Sequence, residues 1–178
     1  MGALVAQPEE RVDRLAEPTT KAIEAAKDIL EHVEIVDVRS TSISASVVDS
    51  FHPGAPVEQV TFNVSSSYAA EQGAMGNRFE FEFTLLGPDG DFFGEVKFTI
   101  VVDYAVPDDY EPDRDGADFI ASTTGYFAAY PYARELLQSV SARLHLDPLV
   151  LGLLRRGSMQ PGRIGSVNLA ALRAKDAS

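Results

Sequence analysis

Phe79, Phe81 and Phe83 alternate with Glu80, Glu82 and Thr84. A helix would scatter the three rings around its axis, whereas a strand sets them in one row, so this run demands a sheet with one buried and one wet face. Pro88, Asp89 and Gly90 follow as a tight turn, since proline presets one torsion and glycine accepts a positive one. Beyond the turn, Phe92, Val96, Phe98, Ile100 and Val102 share a face of a second long strand. Upstream, Val60, Phe62 and Val64 alternate with Thr61, Asn63 and Ser65, and Val36 and Val38 alternate with polar neighbours. Four strands with turns and no helices between them predict an antiparallel sheet.

The flanks change period. Ile23, Ala26, Leu30 and Val33 recur at helical spacing behind Thr19 and Thr20, predicting an amphipathic helix over 20–32. Residues 103–118 are crowded with acids around Pro107 and Pro112 and predict an exposed loop, because so many carboxylates cannot be desolvated together. Pro131 suits a first helical turn, and Leu136 or Leu137, Val140 and Leu144 mark one face of the helix after it. An apolar linker over 146–154, breakers at Pro161 and Gly162, and a short helix near 167–173 complete the chain. The expected class is α+β: a four-stranded antiparallel sheet with two C-terminal helices on one face and an extra N-terminal helix. Residues 1–18, polar and proline-punctuated, are expected to form a flexible leader, and 19–178 a single domain.

Chemistry leaves few marks. With 27 acidic against 15 basic residues the formal charge is −12, which argues against nucleic acid and anionic membrane surfaces as partners. The absence of cysteine removes disulfides and thiolate chemistry. No run approaches the roughly 20 apolar residues of a membrane helix, and the opening apolar run is too short for a signal peptide, so the expected location is the cytoplasm. His32, His52 and His145 have no ligand neighbours at metal-binding spacing. Glu111, Asp113, Asp115 and Gly116 imitate the start of a calcium loop, but its twelfth position holds Ser122 where a bidentate glutamate is required. Glu80 and Glu82 share a strand face as a catalytic pair would, yet alternation with phenylalanine accounts for them as the wet side of a sheet. No nucleophile elbow or phosphate loop is present, so neither an enzyme nor a cofactor is expected.

The run Tyr130-Pro131-Tyr132-Ala133-Arg134-Glu135, then a helix, an apolar linker and Val167-Asn168-Leu169-Ala170-Ala171-Leu172, resembles the SecB export-chaperone family in content and order. Phe92-Phe93-Gly94-Glu95-Val96 and Val60-Thr61-Phe62-Asn63-Val64 are similar to two of its strands. The resemblance spans about Val33 to Leu172. It implies an ATP-independent holding chaperone, assembled as a homotetramer of paired dimers, that lays unfolded polypeptide along apolar grooves. Implied client-binding residues are Val60, Phe62, Val64, Ile164, Leu169 and Leu172. Phe92, Gly94, Val96, Phe98 and Tyr132 are implied at the oligomer interface, and Phe93 and Glu95 on a surface for the translocase motor SecA. Ser42 and Ser46 stand where two acids help dock that motor, which leaves SecA open as a partner. The acidic loop and Thr123-Thr124-Gly125 are similar to actinobacterial SecB-like chaperones that accompany toxin-antitoxin pairs, whose client is an antitoxin.

Independently of that resemblance, Leu149, Val150 and Leu151, in a weakly periodic apolar run beside Arg155 and Arg156, are candidate client or oligomer contacts. For Val60, Phe62 and Val64, core packing beneath the helices explains the pattern as well as a groove does. A small-ligand-binding or enzymatic α+β domain and a structural self-assembly subunit are the competing readings.

Overall fold

The computed structural model describes residues 19–49, 57–146 and 149, the side chain of Asp89 apart, together with the backbone of 164–168. The expected leader over 1–18 lies outside them. Helix α1 (Thr20–His32) starts where the Thr19 side chain accepts a hydrogen bond from the Ala22 amide at 3.1 Å, satisfying one of the orphan donors of the first turn. Its stripe of Ala22, Ala26 and Ile29 is buried.

Four long antiparallel strands follow: β1 (Glu34–Val47), β2 (Gln59–Glu71), β3 (Ala74–Leu86) and β4 (Phe92–Ala105). The phenylalanine row of β3 forms the centre of the core. Phe81 lies opposite Phe98 with ring centroids 5.1 Å apart, and Phe83 lies opposite Val96. The other face of β3 is wet, with Arg78 bonded to Glu80 at 3.0 Å. Pro88–Gly90 turns the chain between β3 and β4 as expected. Register shifts in β1 leave Val36 and Thr41 unpaired, so Val36 does not share a face with Val38 as simple alternation predicts: it bulges outward and is 61% exposed.

The acidic stretch is not wholly loop. Asp113 caps helix α2 (Arg114–Ile120) by accepting from the Gly116 amide at 3.1 Å. Gly116 then meets α1 so closely that a Cβ there would stand 2.8 Å from the Ala25 carbonyl carbon. A π-helical turn (Ala121–Gly125) joins α2 to α3 (Tyr126–Arg143). Pro131 sits inside α3 rather than in its first turn. Pro131 and Phe127 are both exposed, so the bond that proline cannot donate to the Phe127 carbonyl is lost on the side where water replaces it. Tyr126 packs its ring 5.9 Å from Phe79 and 6.1 Å from Phe81, seating α3 on the sheet.

The end of α3 is a Schellman closure: the His145 amide donates to the Ala142 carbonyl and the Leu146 amide to that of Ser141. His145 holds the left-handed position at φ 56°. Farther on, β5 (Ile164–Asn168) adds antiparallel to residues 59–63 of β2, giving the order β1-β4-β3-β2-β5. Val167 and Asn168 are therefore strand, not the start of the expected final helix. Residues 169–173 lie outside the described residues. The four-stranded antiparallel sheet, the N-terminal helix and one C-terminal helix, α3, stand as read from the sequence; the second expected C-terminal helix is not among the described elements, and β5 is an addition.

Candidate functional site

On the helix side of β2, Val60, Phe62 and Val64 lie opposite Leu85, Phe83 and Phe81. Val60 and Val64 are buried, with no exposure at Val64, while Phe62 is only partly covered. The register explains the difference in part: the β5 residue opposite Phe62 is Gly165, which has no side chain to lay against the ring. Ile164 stands opposite Asn63 at the end of that pairing. Of the three β2 positions, Phe62 is the one that is only partly buried where it packs against the core.

The linker is represented by Leu149. Its amide donates to the Ser141 hydroxyl at 3.2 Å and its side chain is 3% exposed, so in one subunit it belongs to the core. Val150, Leu151, Leu169 and Leu172 lie outside the described residues.

The residues expected at the oligomer interface divide. Phe92 and Tyr132 are about half exposed and free to meet another surface. Val96 and Phe98 sit in the subunit's own core between β3 and β1, so in the lone subunit they offer nothing to a second copy. Gly94 has an internal reason as well: a Cβ there would collide with the Ser46 carbonyl and stand 3.1 Å from the Val47 Cα, so glycine lets β1 and β4 close. Phe93 is buried, and Glu95 is paired with the Lys97 amine at 2.9 Å, an ion pair that raises the Lys97 pKa.

Sequence reasoning passed over an apolar margin along β1. Ile35, Val36 and Ile43 are exposed on this edge strand, and Leu30 and Phe127 are exposed on the helices above the sheet. The signal was present at Ile43, a lone isoleucine among Ser40, Thr41, Ser42, Ser44 and Ser46. Phe127 and Tyr132, five residues apart, project from different flanks of α3.

Among the described residues the polar side chains form no reactive constellation. Asn77, Tyr104 and Tyr126 are buried near the π turn, and their side-chain polar atoms have no hydrogen-bond partner among the described residues. Burial pushes the Tyr104 hydroxyl up to about 12 and that of Tyr126 higher still, so both are neutral phenols. Among the described residues no cluster of three or more histidines, aspartates and glutamates could hold a metal ion. No helix among them is long and apolar enough to cross a membrane. The acidic loop is pinned to α1: the Tyr110 hydroxyl donates to Asp28 at 2.6 Å and its ring stacks on His32 at 4.4 Å. Burial first, then that bond to Asp28, raises the Tyr110 pKa. Between this loop and the end of β2 opens a cleft of about 1020 Å³, lined by Tyr68, Glu71, Asp108, Asp109, Glu111 and Asp113 among others.

No family model matches the chain. Over 63 residues it is 36% identical to the SecB-like chaperone Rv1957 of Mycobacterium tuberculosis strain ATCC 25618 / H37Rv, and equally to SecB-like chaperone MT2006 of strain CDC 1551. The match covers 35% of this chain and 35% of each relative, so it spans about a third of their length. In three dimensions the chain superposes on Mycobacterium tuberculosis Rv1957, solved in complex with a ChAD peptide from the Rv1956 HigA1 antitoxin. The TM-score is 0.66 at 22% identity, over 75% of this chain and 98% of the other. The fold is SecB-like. The resemblance to SecB-like chaperones linked to toxin-antitoxin pairs thus rests on both a local sequence match and a shared architecture. Partly exposed Phe62 and the exposed β1 margin are among the apolar side chains that the described residues leave in contact with solvent.

Proposed function

We propose that this protein is a holding chaperone that binds extended, unfolded polypeptide without nucleotide, with a disordered antitoxin segment as its natural client. The observation that carries this reading is the SecB-like fold shared with a chaperone solved around an antitoxin peptide, joined to apolar side chains left open at Phe62 and along β1. A holdase that does not consume ATP has only differential affinity to work with, so it must offer apolar area that a folded protein has no use for. Burying client side chains is worth about 25 cal/mol per Å², against which the ordering of a flexible client weighs, so several sites must act together. Assembly supplies them. Ile35, Ile43, Phe92 and Tyr132 are the residues we place between copies in a homotetramer, which brings several Phe62 grooves into one particle. The formal charge of −12 per chain keeps such a particle dispersed and favours basic clients.

Val60, Val64 and Leu149 then serve as the packed walls and floor of the groove, with Val150, Leu151, Ile164, Leu169 and Leu172 as its further boundary. The protein is read as cytoplasmic and non-enzymatic. Ser42 and Ser46, both exposed on β1, offer a SecA-type motor no charge to dock on, which favours an antitoxin over general export traffic. The test is suppression of aggregation of a chemically unfolded client in buffer free of nucleotide, alongside the antitoxin of a neighbouring toxin-antitoxin pair. Protection at equimolar tetramer supports the reading. Aggregation that proceeds unchanged with both clients overturns it.

A further inference from the structure

We propose that the outer edge of β2 over residues 64–71 is a strand-addition site, on which an extended peptide with basic residues near its N-terminus pairs as a further strand beside β5. This deepens the chaperone reading and rests on it, since it names how and where an unfolded segment is held. Three observations point there. The chain already shows that this edge accepts an extended segment, because β5 pairs antiparallel with 59–63 and the pairing stops at Asn63. Among the described residues nothing pairs with the same edge from Val64 to Glu71. That stretch, Val-Ser-Ser-Ser-Tyr-Ala-Ala-Glu, contains no proline and one charge, at its far end.

Edge strands left in this condition are unusual, because charges, prolines and bulges normally blunt them against pairing with foreign chains. The β1 edge is blunted, with Glu34, Asp37 and Arg39 in its first half and two register shifts. β2 pairs with β3 residue for residue without a shift, so its other side, unpaired among the described residues from Val64 on, presents an even ladder of amides and carbonyls. Eight residues at about 3.3 Å each give roughly 26 Å of edge. Backbone pairing supplies affinity independent of sequence, which suits a client recognised for being unfolded.

Charge fixes polarity. A peptide antiparallel to β2, as β5 is, runs its N-terminal end toward Glu71 and the cleft that also carries Asp108, Asp109 and Glu111. Basic side chains there meet carboxylates that outnumber the cation Arg114, which lines the same cleft, and the peptide's own terminal amine adds to the attraction.

The experiment uses the full chain, whose lack of cysteine allows a single reporter thiol to be placed at will. The probe is a synthetic ten-residue peptide, two lysines followed by alternating valine and threonine, made unmodified and in two versions N-methylated at odd or even amides. Strand addition predicts that one methylated version binds at least about tenfold more weakly and the other within about twofold of the parent. It also predicts that Ser67→Cys forms a disulfide with a cysteine placed in mid-peptide while Ser42→Cys on β1 does not, and that Glu71→Gln with Asp109→Asn weakens the lysine-bearing peptide. Equal binding of both methylated versions overturns the inference, as does cross-linking at position 42 alone. Oxidation of Ser67→Cys to a covalent dimer without peptide overturns it too, since the occupant would then be a second copy. A reduced, carboxymethylated protein run in parallel separates the two levels: if it is captured while the peptide results are negative, the chaperone reading stands and strand addition falls, and if it is not captured both fall.

Discussion

Val64→Ala and Phe62→Ala, two residues apart on the same face of β2, separate what holds the subunit together from what it offers to clients. Val64 has no exposure and lies opposite Phe81 at the centre of the core. Trimming it removes two carbons worth about 0.8 kcal/mol each, and a cavity that the sheet cannot collapse adds up to about 1 kcal/mol, so Val64→Ala should cost about 2–2.5 kcal/mol. Phe62 is partly exposed beside Gly165, so its truncation should cost less stability, about 1–2 kcal/mol, but remove the accessible ring. The loss of that ring should weaken an unfolded client about tenfold, or about 1.4 kcal/mol, whereas Val64→Ala should leave affinity within about twofold while folded. Urea unfolding by circular dichroism at fixed protomer concentration reads the first quantity. Anisotropy of a labelled unfolded client reads the second, and the chain's lack of tryptophan leaves its signal clean. The reasoning is refuted if Val64→Ala loses client binding as Phe62→Ala does, or if its urea midpoint does not move.

Ile43→Ser combined with Tyr132→Ser should lower the mass in sedimentation from that of the assembled particle while the circular dichroism spectrum is unchanged; an unchanged mass would remove β1 and α3 from the interface. Gly94→Ala should lower the unfolding free energy in urea by about 1–3 kcal/mol, independently of protein concentration, because the new methyl meets β1 of the same subunit. His145→Gly should raise stability by about 0.5–1 kcal/mol, since glycine occupies the left-handed Schellman position without strain; a lower thermal midpoint would contradict it. Tyr104 and Tyr126 have folded pKa values above the ordinary 10, so the unfolded chain ionises first, and the stability linked to their neutral form, present below pH 10, is lost as pH rises through the folded values, about 12 for Tyr104 and higher for Tyr126. Tyr104→Phe should therefore be neutral or stabilising at pH 7, its hydroxyl having no hydrogen-bond partner among the described residues, and should flatten the alkaline fall in midpoint.

What could be read from residues alone was whatever repeats with a period. The row Phe79, Phe81, Phe83 located β3 and its buried face, and the spacing from Ile23 to Val33 placed α1 over the residues it occupies. Features set by single tertiary contacts were illegible. Val36 looked like one half of an alternating pair, but a bulge turns it outward. The acidic stretch hid the start of α2 because a density of carboxylates masks one aspartate used as a cap. Pro131 suggested a helix start since nothing local reveals the π turn that carries the chain into α3 five residues earlier. Val167 and Asn168 carry a helix-like motif, yet the edge of β2 competes for them and takes them as strand. The three β2 positions share one face, as alternation predicts, but only packing could show that Phe62 is partly exposed while its two neighbours are buried.

The central claim is that apolar side chains remain reachable once the subunits have assembled. Sedimentation of the protein with and without a permanently unfolded polypeptide tests this directly. The account predicts an assembled particle that gains the mass of the guest and releases it as salt rises for basic guests. A particle whose mass is indifferent to every unfolded chain offered, at client concentrations up to the micromolar range, would contradict it.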